Sequence, residues 1–187
     1  RINSDLANDL GNLLNRTVSM VDQYFESEIP EPEETTSAEV DQDLKETAFR
    51  TLDIVEEKMN DLKFTIALEE LWNFVRRTNK YIDQTTPWIL AKEDNKKERL
   101  GTVLYNLLEA LRIIAGVLKP FMKETPIEIL RQIGYENNIE NLTWNDLKVW
   151  GKLKTGKKVK KGEPIFPRID MEEYFEGVEN KMKEEQK

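Results

Sequence analysis

The stretch LGTVLYNLLEALRIIAGVLKPF, residues 100–121, decides the fold. Its apolar side chains do not line up in one stripe. They cover much of the helical circumference, which is the pattern of a helix surrounded by others at the centre of a bundle. The spacing predicts a helix over about residues 97–118, with Pro120 ending or bending it.

Three amphipathic segments precede that helix and can pack around it. The first, about residues 3–25, sets Leu6, Leu10, Leu13, Leu14, Thr17, Val18 and Val21 on one stripe. An acidic, proline-bearing connector follows, SEIPEPEETTSAEVDQD. Inside it Thr36 and Glu39 form a T-x-x-E capping box that predicts a second helix running to about residue 61. The third segment, about residues 63–83, carries Phe64, Leu68, Leu71, Trp72, Val75 and Ile82 on one stripe. Asn79 falls on the same stripe. A buried amide left unbonded costs ~1–3 kcal/mol, so Asn79 is expected to bond backbone nearby, in the turn that carries Trp88 directly behind Pro87.

Beyond the central helix, TPIE predicts a capping box with proline at the first helical position, and Gly134 is placed to stop that short helix. TWNDLKVWG reads as one more helical turn, opened by Thr143 and closed by Gly151. The style then changes. KLKTGKKVKKGEPIFPRID suggests a small β-like hairpin turning at Thr155-Gly156, then an extended strap, then a charged helix over about residues 171–187. The predicted class is all-α: a bundle of about five helices over residues 1–150, with a basic strap and terminal helix over 151–187. The sequence shows no internal repeat. The opening Arg1 and the charged ending read as a piece of a larger protein.

Composition narrows the chemistry. There is no histidine, which removes the commonest general base and metal ligand, and no cysteine, which removes disulfides and thiolate metal sites. A reducing cytoplasm is the expected location. No apolar run is expected to approach the length of a membrane span. The formal charge of −8 argues against a general nucleic-acid binder, so any RNA contact has to be local.

Several motifs invite a functional reading. Gly151 to Gly156-Lys157 has the spacing of a phosphate loop, but Lys158 stands where a serine or threonine must hold Mg²⁺, and no strand or apolar helix flanks it. Glu56/Glu57 and Glu69/Glu70 are adjacent on helices and do not face each other. Two basic clusters, Arg76, Arg77 and Lys80 and then Lys96, Lys97 and Arg99, bracket the Trp88 turn. Asn12 and Arg16 stand four apart, so they share a polar helical face with Asp9 and Gln23, away from the leucine stripe. On the residues alone, a solvated helix face and a hydrophobic plug compete with a binding site here.

DLANDLGNLLNRT, then NKYIDQTTPWILAK, then LLEALRIIAGVLKPFM together resemble the anticodon-binding domain of bacterial methionyl-tRNA synthetases. The similarity covers roughly the first 150 residues, and GEPIFPRID resembles the segment that folds back towards the catalytic domain in that family. N-x-Y-I-D is shared with other class I synthetases; N-x-x-x-R together with Pro-Trp is what points to the methionine enzymes. The resemblance implies that Asn12, Arg16 and Trp88 read a CAU anticodon, with Asn79 and Pro87 supporting the turn. It implies no catalytic or metal-binding residue in this chain. Methionine activation, using ATP and Mg²⁺, would lie in a catalytic domain of the same full-length chain. The expected partners are the anticodon loop of methionine tRNA and that catalytic domain, with no membrane and with this fragment monomeric. Two other readings stay open: the equivalent domain of another class I synthetase, and a helical protein-interaction module without RNA binding.

Overall fold

The computed structural model describes residues 2–135 and 139–167, so the expected terminal helix lies outside the described residues. The central helix is α5, Lys97–Leu118, and every residue from Leu100 onward is buried. The 25-residue stretch Asp94–Leu118 is long and apolar enough to cross a membrane, contrary to the expectation above, yet the bundle buries all of its apolar window. Enclosure by other helices explains the all-round apolarity.

Around it pack α1 (Asn12–Phe25), α2 (Glu39–Asn60) and α3 (Phe64–Thr85). α2 and α3 form a tight antiparallel hairpin, with Arg77 bonded to Asp43 at 2.7 Å and Tyr81 to Asp41 at 2.5 Å. α1 and α3 run parallel, as three cross-links show. Trp72 Nε1 donates to the Asp5 carbonyl at 3.3 Å, Asn79 Nδ2 to the Asp9 carbonyl at 3.1 Å, and Arg16 Nη2 to Asp83 Oδ1 at 3.5 Å. The segment before α1, Ile2–Gly11, is π-helical rather than α-helical. Each π hydrogen bond spans one more residue than an α bond, so the predicted stripe slips there: Ala7 and Leu10 are buried and Leu6 only half-buried.

Two predicted helix starts need correction. α2 begins at Glu39 behind Ala38, because Asp41 Oδ2 accepts the Ala38 N–H at 2.7 Å; Thr36 ends a separate 3₁₀ turn, Glu34–Thr36. α6 runs Glu124–Gln132, so Pro126 is the third helical residue rather than the first. It still lies in the first turn, where an N–H would have no intrahelical partner. Gly134, at φ +75°, ends that segment as expected. α7, Trp144–Leu147, is capped by Thr143, whose hydroxyl accepts from the Asp146 N–H while Asp146 accepts from the Thr143 N–H. Leu147 docks where α5 has Gly116; a Cβ there would stand 2.3 Å from Leu147 Cδ2.

The β-like hairpin does not form. Among the described residues after Gly151 there is no strand, only one antiparallel bridge between Glu28 and Lys158. The segment pairs with the chain just after α1 instead of with itself: Ile29 N–H donates to the Lys157 carbonyl and Val159 N–H to the Ser27 carbonyl, both at 2.8 Å. It then crosses α6 and brings Phe166 beside Gly11.

Two buried charge networks hold these layers together. In the first, Asp41 accepts from both terminal guanidinium nitrogens of Arg99 and from Tyr81, Asn106 donates to the Tyr81 oxygen at 3.3 Å, and Trp150 Nε1 donates to Asn106 at 3.2 Å. Burial alone would raise the Asp41 carboxyl, but the bonds from Arg99, Tyr81 and the Ala38 N–H outweigh it and hold it below the usual carboxylate range. A carboxyl depressed on folding contributes stability that is fully present above its unfolded value, about 3.9, and is lost as pH falls through the folded value. Asp41→Asn should therefore flatten the loss of stability below about pH 4 as well as lower stability at neutral pH. Urea melts across that range check this, and an unchanged acid slope would assign Asp41 no such part.

The second network lies wholly inside. Glu109 and Arg112, both 0% exposed, pair at 2.8 Å. Glu109 also accepts the N–H groups of Gly151 and Leu153, at 3.1 and 2.6 Å. Arg112 donates to the carbonyls of Asp146 and Val149, at 3.1 and 2.7 Å. One ion pair in the core helix thus fixes the backbone of residues 146–153.

Candidate nucleic-acid interface

α1 presents Asn12, exposed, and Arg16, half-exposed, on the side away from its buried leucines. The Arg16–Asp83 contact is long, at 3.5 Å, and its side chains are 40% and 68% exposed. Such a pair contributes at most about 1 kcal/mol, so it orients the guanidinium without consuming it.

Trp88 is placed by the end of α3. The Thr85 hydroxyl bonds back to the Tyr81 carbonyl at 2.7 Å, and Thr86 takes left-handed dihedrals, φ 44° and ψ 61°. The chain then turns into a one-turn helix, α4 (Pro87–Leu90), with buried Pro87 at its first position. Ile89 N–H reaches the Thr86 carbonyl at 2.8 Å, and Ala91 N–H the Pro87 carbonyl at 2.9 Å. Trp88 is 40% exposed, beside Ile89 at 46%. Among the described residues its indole N–H has no hydrogen-bond partner and its ring stacks on no other ring. A rigid, half-open aromatic face is what a stacking platform requires.

Because α1 and α3 are parallel, Asp83 carries Arg16 to the end of α3 from which Trp88 departs, five residues on. Arg16 and the start of the Trp88 turn therefore stand at the same level of α3, with Asn12 one turn before Arg16.

Asn79 does not hold the Trp88 turn. Its Nδ2 donates to the Asp9 carbonyl at 3.1 Å and to the Val75 carbonyl at 3.2 Å, so it ties α3 to the π-helical segment that leads into α1. Thr85, Thr86 and Pro87 hold the turn. Asn79→Leu should speed amide exchange in the segment before α1 and cost about 1–2 kcal/mol, while the Trp88 turn keeps its protection. Exchange that quickens around Trp88 instead would restore the earlier expectation.

The two basic clusters are largely engaged within the fold. Arg77 binds Asp43, Arg99 binds Asp41, Lys96 binds Glu93 at 2.9 Å and Arg76 binds Asn73 at 2.7 Å. The phosphate-loop spacing is likewise occupied: Gly151 and Leu153 direct their N–H groups at Glu109, and no helix follows among the described residues. Sequence reasoning missed Asp83 as the Arg16 partner, and it missed Glu109 and Arg112. Their E-x-x-R spacing inside an apolar helix was the available signal.

Comparison with known proteins gives the family. The family described as the anticodon binding domain of methionyl tRNA ligase matches residues 30–186. The methionine–tRNA ligase of Caldanaerobacter subterraneus subsp. tengcongensis is 50% identical over all of this chain, and that of Clostridium acetobutylicum is 48% identical. In each case the chain spans 28% of the relative's length. Among solved structures, free Mycobacterium tuberculosis methionyl-tRNA synthetase superposes with a TM-score of 0.82 at 32% identity, over 91% of this chain and 34% of that one. The same enzyme in complex with methionyl-adenylate gives 0.81 at 33% identity, over 90% and 32%. A helical bundle of this form, matched over its whole length by methionine–tRNA ligases, belongs to the methionyl-tRNA ligase family as its anticodon-binding domain.

Proposed function

We propose that this domain recognises the CAU anticodon of methionine tRNA through Asn12, Arg16 and Trp88, within a full-length cytoplasmic methionine–tRNA ligase. Anticodon bases are single-stranded, so they can be splayed out and read on their Watson–Crick edges. The Asn12 amide offers a donor and an acceptor to one such edge, and the Arg16 guanidinium offers donors and a flat face. Trp88 stacks an unpaired base, a contact worth ~1–3 kcal/mol. The observation that carries this reading is the exposed Trp88 ring on a pinned helical turn at the end of α3 where Arg16 is tethered.

The ligation itself, joining methionine to tRNA with ATP and Mg²⁺, takes place in a catalytic domain on the same chain. The residues of this domain act only by binding and positioning the tRNA. The return of the strap to Gly11 fits a fold-back towards that domain. As a separate fragment the domain is monomeric.

Titration with stem-loop RNAs carrying CAU and altered anticodons tests the reading. CAU should bind tighter by at least tenfold, or about 1.4 kcal/mol. Preference for a different anticodon would point to another class I synthetase, and no binding to any loop would point to a protein-interaction module.

A further inference from the structure

Residues 152–161, KLKTGKKVKK, hold six lysines in ten positions of a chain whose net charge is −8. Their backbone is fixed. Leu153 and Val159, each 4% exposed, plug into the core, which turns the flanking Lys152, Lys154, Lys158 and Lys160 outward. The Leu153 carbonyl accepts from the Tyr105 hydroxyl at 2.9 Å, and the Lys160 N–H donates to the Gln132 carbonyl at 2.8 Å. Gly134 allows the close passage: a Cβ there would stand 2.5 Å from the Lys158 carbonyl oxygen.

Some of this charge is used locally. Lys152 faces Asp146 at 3.7 Å, and Lys158 faces Glu28 at 3.8 Å and the Glu26 carbonyl at 2.7 Å. Lys154, Lys160 and Lys161 have no carboxylate partner among the described residues. Arg131, Tyr135, Lys157, Lys158 and Lys160 line an open cleft of about 270 Å³ beside them.

The strap's position matters as much as its charge. It crosses the chain at residues 27–29, just past the end of α1, and Trp88 lies just past the end of the parallel α3. Phe25 lies nine residues beyond Arg16 along the helix, a rise of about 14 Å. Strap and platform therefore lie towards the same end of the bundle.

We propose that the lysine strap grips the phosphate backbone of the same RNA whose bases meet Trp88, as a contact independent of sequence. The proposal rests on the anticodon reading above. Phosphate contacts fix register and orientation while base contacts specify, and a fixed segment that holds the Lys154, Lys160 and Lys161 ammonium groups outward suits only the first task.

The test is the triple variant K154A/K160A/K161A of this chain, titrated at several salt concentrations with two stem-loop RNAs, one carrying CAU and one an altered anticodon. Removing three phosphate contacts should lower the steepness of log K against log[salt] by about 2–3. Both RNAs should weaken by the same factor, and their affinity ratio should stay as in the parent. K154R/K160R/K161R should keep the parent's slope. An unchanged slope in a triple variant that still prefers CAU overturns the strap proposal alone. A lowered slope with equal affinity for both RNAs in the parent sinks the anticodon reading and leaves the strap standing. A lower melting temperature with an unchanged slope would mean that the lysines only balance the acidic connector. Absence of binding to either RNA by the parent overturns both.

Discussion

Replacing Arg112 by methionine should cost this domain about 3–5 kcal/mol, enough to unfold a protein of ordinary stability at moderate urea. Methionine keeps much of the volume but leaves the Glu109 carboxylate buried without its counter-ion, and leaves the carbonyls of Asp146 and Val149 without their donor. Replacing a buried pair jointly by apolar residues is often tolerated, because both charges disappear together. Here joint replacement should remain costly, since the N–H groups of Gly151 and Leu153 also lose their acceptor. Glu109→Gln, which keeps an acceptor, should cost less than Glu109→Leu. Urea unfolding of the four variants orders these cases. A loss below about 1 kcal/mol for Arg112→Met would mean that water reaches the pair.

Trp88→Ala should have the opposite profile, large in binding and small in stability. The ring is 40% exposed, so its loss opens no core cavity and the fold should change by less than about 1 kcal/mol. Binding of a CAU stem-loop should weaken by ~1–3 kcal/mol, or about ten- to a hundred-fold or more. Arg16→Lys keeps the charge but loses the planar fork, so it should also weaken CAU recognition. In the intact ligase both changes should lower tRNA charging while leaving methionine activation in place. A Trp88→Ala protein that loses several kcal/mol of stability yet binds every loop as the parent does would make Trp88 a core plug.

The helices were legible because the apolar pattern is nearly a direct record of burial. Residues 100–118 read as central and are central, and the α1 stripe is buried from Leu10 onward. The α3 stripe is only partly the buried face, since Phe64 is exposed, Leu68 and Trp72 are half-buried, and Phe74, Thr78 and Tyr81 are buried instead. Asn12, Arg16 and Trp88 were visible as residue types in odd places, and the family resemblance joined them. Long-range partners were not legible. Asn79 was rightly seen to need a bond, but a local pattern cannot show that α1 runs parallel to α3, and so the nearer turn was chosen over the Asp9 carbonyl. The strap misled for a related reason. Alternation of lysine with Leu153 and Val159 does signal an extended chain with one face buried, but sequence alone does not say what pairs with it. Residues 27–29 and α6 take that place, and the segment stays a strap.

The central claim is that Trp88 stacks an anticodon base, and fluorescence quenching during a CAU stem-loop titration measures this most directly. The chain has four tryptophans, of which Trp72 and Trp150 are tied by hydrogen bonds inside the fold. Comparison of the parent with Trp88→Phe therefore isolates the signal from Trp88. The parent's emission should fall as CAU is added, and most of that fall should vanish in Trp88→Phe, which still offers an aromatic face and should bind within about tenfold of the parent. Equal quenching in the two proteins would contradict the account, because the base would then be stacking somewhere else.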